Sequence, residues 1–297
     1  RDRDQREGKE RASREVELAK LYAGSLKRAQ DALAAIKRAL ELSPHDAGAV
    51  AVLEDLLARP ETRAKAAELL EQHYAETGNP TRQAEIILVL IATTAAKEDR
   101  MALYVKLAGI HEGLGDGGAA FDVLVRATSE FPSQISVWDK LSELAQKTQR
   151  TQAFAESLVR AVPLEGPSGL PQAVEVDLAE RVAAIYDEMG DVDHARPYLD
   201  RVLVLDPKNE RAFGRLKQIL TSLERWDELE AMYERAVASG DGPRQTELLG
   251  EVALVAEEIT GDKAKAIQYY ERILSIDPAH EQSTRSLDSL YSNEGRF

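Results

Sequence analysis

One pattern recurs along this chain at nearly fixed spacing, and it limits the fold more than any other feature. Between Ile185 and Pro207 a helix-forming stretch closes on Gly190-Asp191, a small residue (Ala195) follows, and a second apolar-striped stretch runs into Asp206-Pro207. The same order returns 71 residues later as Gly261-Asp262, Ala266 and Asp277-Pro278. It stands 75 residues earlier as Gly115-Asp116, Ala120 and Phe131-Pro132. Self-similarity of this kind predicts a solenoid, in which each unit buries its apolar face only by stacking on a neighbour.

The period resolves further. Val182, Tyr186, Ala195, Leu199 and Val202, shifted by 34 residues, fall on Leu216, Leu220, Leu229, Tyr233 and Ala236. The spacing of 71 is therefore 34 plus 37, two helix pairs. The spacing of 75 is 34 plus 41, with the surplus in Pro163 to Pro171.

A helix–turn–helix unit of this length resembles the tetratricopeptide repeat. That family sets a large residue, Leu, a small residue and Tyr in the first helix, then Ala, an aromatic residue and Ala in the second, and closes on Pro. The unit from Val176 supplies Ala183, Tyr186, Ala195 and Pro207, with Ala179 in the large slot. The unit from Met101 supplies Leu107, Ala108, Ala120, Ala127 and Pro132, and the next supplies Trp138, Leu141 and Ala161. The last complete pair keeps Ala266, Tyr270 and Pro278, with Glu257 in place of the tyrosine. These departures are similar to those of degenerate arrays in long bacterial proteins of this kind. The run Trp226-x-x-Leu-x-x-x-Tyr also resembles the half-a-TPR repeats of RNA-processing scaffolds, in one unit only. The resemblance implies an all-α, right-handed superhelical solenoid of antiparallel helix pairs that binds protein partners and performs no chemistry of its own.

Composition excludes several other classes. A net charge of -14 opposes a sequence-independent phosphate-binding surface, so no nucleic acid is expected as partner. The absence of cysteine removes disulfide and thiol chemistry and fits either cytoplasm or periplasm. No apolar run approaches the roughly 18 residues that would span a bilayer. The chain opens on Arg1 rather than Met, which leaves room for a removed leader.

Along the chain, residues 1–14 form a charged lead-in, read as a frayed helix or a solvated segment with Gly8 as its breaker, and residues 15–297 read as a single solenoid. Counting from Val16 to Ala67 gives 51 residues, one unit and a half, which predicts an unpaired or bent helix near 47–77. Gly78-Asn79-Pro80 is a strong turn, and Ile86 to Ile91 beyond it is apolar on nearly all sides, predicting a helix buried on more than one face. Pro163 to Pro171 cannot continue a helix and either hinges the array or loops outward, the loop being favoured because the array resumes in register. Shifting Trp226 by 71 lands on Phe297, where a second helix would begin, so the pattern predicts an array that continues beyond it and a C-terminal stretch that frays first.

Chemistry-bearing motifs are scarce. Gly113 to Gly118 satisfies G-x-G-x-x-G, but it follows a helix and aligns with turns between helices, where no dinucleotide site forms. His45, His73, His111, His194 and His280 are scattered, with His111 in a packing slot. No metal, no cofactor and no catalytic residue is expected, and the chain is read as a non-enzyme.

One constellation stands out. In the resembling family, first-helix positions line a concave groove that holds an extended peptide. Here those positions carry Glu112, Asp139, Glu143, Asp177, Glu180, Asp187, Glu251 and Glu258, opposed by Arg211 and Arg285 alone. The family's carboxylate clamp needs Lys and Asn there, so a basic or mixed protein or peptide partner is favoured over an acidic tail. Two other expectations remain open. The acids form a merely solvated face, or the array serves assembly, including self-association, through its ends or convex face.

Overall fold

The computed structural model describes residues 2–294. Among them the secondary structure is helical, with no strand. The helices are α1 (Asp2–Ala23), α2 (Ala29–Leu42), α3 (Ala47–Leu57), α4 (Arg63–Glu76), α5 (Pro80–Thr93), α6 (Lys97–Gly113), α7 (Gly117–Glu130), α8 (Ile135–Lys147) and α9 (Thr151–Ala161). They continue as α10 (Gln172–Glu188), α11 (Val192–Leu205), α12 (Glu210–Ser222), α13 (Trp226–Ser239), α14 (Gly242–Leu254), α15 (Lys263–Ile276) and α16 (Glu281–Glu294). A π-helical turn, Val255–Ile259, extends α14. The architecture is the expected all-α solenoid of helix pairs, and packing groups it into two compact units, Arg1–Phe154 and Ala155–Phe297.

A backbone signature marks the turns within a pair; among the described residues the other left-handed positions are Gly166 and Gly169 of the Pro/Gly segment. The first helix of each pair closes on a residue in the left-handed region: Lys27, Gly78, Gly115 and Gln149 in the first unit, Gly190, Glu224 and Gly261 in the second. In five of these turns the following N–H then reaches back five residues, as from Asn79 to the Tyr74 carbonyl and from Asp191 to the Tyr186 carbonyl. Carbonyls that a helix end leaves open are satisfied in this way. Four second helices, α5, α7, α11 and α15, start on a polar cap. Asn79, Asp116, Asp191 and Asp262 accept from the backbone N–H of Arg82, Ala119, His194 and Lys265. Four residues past the N-caps of α2, α7, α11 and α15 stand Ala32, Ala120, Ala195 and Ala266, all fully buried where the paired helices pack.

The glycine run 113–118 is such a turn. At Gly117 an added Cβ would stand 2.8 Å from Thr148 Cγ2, so the glycine lets neighbouring turns of the first unit close up.

From Lys27 to Gly78 the interval is 51 residues, and it contains α3 in addition to the halves of two pairs. The turn after α3 has no left-handed residue; instead Thr62 Oγ1 donates to the Leu56 carbonyl at 2.9 Å. Helix α4 lies alongside α2. Gln30 Nε2 donates to the Glu61 carbonyl near the start of both helices, and His73 Nδ1 lies 3.4 Å from the Pro44 carbonyl near their ends.

Three segments differ from their sequence-based expectation in detail. Helix α1 begins at Asp2, continues through Gly8 and buries Ala12, Val16, Ala19 and Ala23 along one stripe. In α5 Ile86, Ile87 and Leu90 are buried while Leu88 is 46% exposed, so this helix has a wet side after all. At the other end Leu287 and Leu290 of α16 are buried, with α15 packed beside them. The expectation placed on Phe297 lies outside the described residues.

The Pro/Gly segment between α9 and α10 is tied down within the second unit. Ser168 Oγ donates to Glu175 Oε2 at 2.5 Å, and Arg201 donates to Glu175 Oε1. Glu175 is a buried carboxylate. Burial opposes its ionisation, but the hydrogen bonds from Ser168 and Arg201 outweigh it and hold the carboxyl below the ordinary glutamate value.

A candidate partner-binding cleft

The sequence-selected acids take different positions. In the first unit Glu112 of α6 lies 3.6 Å from Lys147 Nζ, while Asp139 and Glu143 sit one turn apart on the exposed side of α8. In the second unit Asp177 pairs with Arg181 on its own helix at 2.8 Å. Glu180 accepts from Asn209 Nδ2 at 2.8 Å, and Asp187 accepts from Arg215 Nε at 2.7 Å, both bridging α10 to α12. Glu251 accepts from Lys217 Nζ at 2.7 Å and from the Tyr233 hydroxyl at 2.6 Å. Glu258, on the π-helical turn, is exposed and has no ion-pair partner among the described residues.

The expectation that Arg211 and Arg285 alone oppose these acids is corrected by Lys147, Arg181, Arg215 and Lys217. Three of the four come from a neighbouring helix pair, and reading each helix face singly misses them. The signal that finds them is charge complementarity at an offset of about one repeat. Arg285 itself pairs with Glu281 on α16.

What these contacts assemble is a cleft of about 480 Å³ between α10 and α12. Its floor is small and apolar, with Ala183, Ala184, Ala212 and Gly214 beside Leu199. Gly214 has open space where a Cβ would stand. Glu180, Asp187 and Glu188 supply carboxylates on the α10 side, and Arg211 and Arg215 supply guanidiniums on the α12 side. Arg215 and Asp187 neutralise each other, whereas Arg211 and Glu188 have no ion-pair partner among the described residues. Such a site presents backbone-sized room between fixed charges of both signs. Among the described residues no group of three or more His, Cys, Asp or Glu is placed to hold a metal ion, and no helix is long and apolar enough to cross a membrane.

Comparison with known proteins bears on the same region. Residues 178–209 and 253–280 match one tetratricopeptide repeat family model, and residues 212–245 match another. No curated protein matches the chain in sequence. Among solved structures it is similar to the C-terminal part of a TPR repeat-containing protein from Cytophaga hutchinsonii. That likeness has 14% identity and a TM-score of 0.34, covering 86% of this chain and 99% of that one. It is also similar to YrrB, described as a TPR protein with an unusual peptide-binding site, at 14% identity and a TM-score of 0.33, covering 68% of this chain and 98% of that one. A third likeness is to the structure of Naa15/Naa10 bound to HypK-THB, at 17% identity and a TM-score of 0.29. It covers 94% of this chain, which spans only half of that one.

Proposed function

Since residues 178–209, 212–245 and 253–280 are tetratricopeptide repeats, we propose that this protein is a protein–protein interaction scaffold whose α10–α12 cleft holds an extended segment of a partner. One observation carries the reading: the cleft combines a floor of Ala and Gly with unmatched charge at Arg211 and Glu188. A bound strand would bury apolar atoms on that floor. Its basic side chains would meet Glu180 and Glu188, and a carboxylate would meet Arg211. Asp139 and Glu143 in the first unit and Glu258 in the second are candidates for further contacts to a basic partner, whereas Glu112, Asp177, Asp187 and Glu251 would first have to exchange Lys147, Arg181, Arg215 and Lys217. The reading needs no cofactor and no bond-making step.

Gly214→Leu tests it. The new side chain enters empty space in the cleft, and replacing a helix-interior glycine stabilises α12 by about 0.5–1 kcal/mol. Peptides selected from a synthetic array by the wild-type protein should lose most of their affinity for this variant while its melting temperature holds or rises. Selected peptides that bind both proteins equally would exclude the cleft.

A further inference from the structure

The second unit also carries a distinct surface on its turn edge. Large apolar side chains are exposed at equivalent places there: Met189 at 53%, Leu223 at 41% and Ile259 at 53%, each one or two residues before the left-handed residue of its turn. Beside each stands a carboxylate, Glu188, Glu224 or Glu258, with no ion-pair partner among the described residues. Other acids of the unit do pair across repeats, Glu230 with Lys265 and Glu234 with Arg272. Unmatched negative charge and exposed apolar area thus coincide on this edge.

A cleft of about 260 Å³ opens on it, between the turns that precede α13 and α15. Trp226 and Tyr269 supply aromatic walls, and Asp227, Glu230, Asp262 and Lys265 supply charge. Lys265 and the Tyr269 hydroxyl both donate to Glu230, which accounts for that carboxylate. Asp262 caps α15, and Asp227 has no ion-pair partner among the described residues. The balance is two negative charges beside the half-buried indole of Trp226. Ile259 adjoins Thr260 of the lining, and Leu223 stands three residues before Trp226, across the left-handed turn at Glu224.

We propose that this edge cleft is a second docking site, separate from the α10–α12 cleft, for a partner segment that places one Lys or Arg side chain between Trp226 and Asp227 and flanks it with apolar residues on Leu223 and Ile259. The cation gains from the ring face and from carboxylates in a partly desolvated setting, and the flanking residues cover apolar surface that water now wets. A basic apolar peptide fits both demands; an acidic one meets repulsion from Asp227, Glu224 and Glu258.

The test uses a short fluorescein-labelled peptide of alternating leucine and lysine, with its leucine–glutamate counterpart as control, followed by anisotropy at low and high salt. Wild type should bind the lysine peptide, with the Trp226 emission shifting on binding, and should reject the glutamate peptide. Asp227→Asn with Glu258→Gln should weaken binding on the order of tenfold at low salt, and Trp226→Leu should weaken it several-fold. Gly214→Leu should leave the Trp226 emission shift unchanged, and far-UV circular dichroism should be the same for every variant. Absent binding by wild type, equal binding of the glutamate peptide, or indifference to the Asp227/Glu258 variant would each overturn the proposal. So would loss confined to Gly214→Leu, which would assign the peptide to the other cleft.

Discussion

Lys217 and Glu251 are 34 residues apart in the chain and 2.7 Å apart in space. The Tyr233 hydroxyl, from the helix that separates them in sequence, donates to the same carboxylate at 2.6 Å. One glutamate therefore ties α12, α13 and α14 together. Glu251→Gln should destabilise the second unit by about 1–3 kcal/mol, since it leaves a buried tyrosine hydroxyl and a lysine with a weaker acceptor. Chemical denaturation measures this; an unchanged midpoint would show the bridge to be ornamental.

The same carboxylates set an acid limit. Burial is the largest influence on both Glu175 and Glu251 and opposes ionisation, but donated hydrogen bonds from Ser168 and Arg201, and from Lys217 and Tyr233, leave both below the ordinary value of 4.5. A group with a lowered folded-state value contributes stability that is fully present above its unfolded value and is lost as pH falls through the folded one. Stability should thus be level near neutrality and decline below about pH 4.5. Glu175→Gln should flatten that decline, as thermal melts across the acid range would reveal.

Ala195 lies fully buried at the contact of α10 with α11. Ala195→Leu should overpack it at a cost of about 1–3 kcal/mol. A variant as stable as wild type would mean that the pair does not close at this residue.

Left-handed backbone is held by glycine in some turns and by bulkier residues in others. Gln149 sits at φ 57° where Gly115 and Gly190 sit at 78° and 75°. Gln149→Gly should therefore raise stability by up to about 1 kcal/mol, and Gly190→Ala should lower it by a similar amount. Opposite signs for the two substitutions, read by denaturation, are the signature; equal signs would contradict the shared turn geometry.

Much of the fold is written in the sequence because each repeat restates it. Gly190-Asp191, Ala195 and Pro207 each mark a physical event, namely a left-handed stop with its cap, a close helix contact and a terminator. The electrostatic character of the helix faces is less legible. Asp187 reads as a groove acid in isolation, yet Arg215 neutralises it from the next pair, and nothing within α10 announces that partner. Exposed residues such as Leu223 and Ile259 are equally silent, since a single apolar residue at a turn gives no periodic signal within one helix.

Helix α3 has a directional consequence for the first unit. Because α4 lies start to start with α2, the first helix of one pair there runs the same way as the second helix of the pair before it. A single added helix has changed an even count into an odd one. The Lys27 turn, at the start of α2, and the Gly78 turn, at the end of α4, consequently sit on opposite rims. A partner tracking the rim that carries Gly78 would meet the α1–α2 pair upside down, so α3 acts as a polarity switch that bounds how far a continuous footprint can extend.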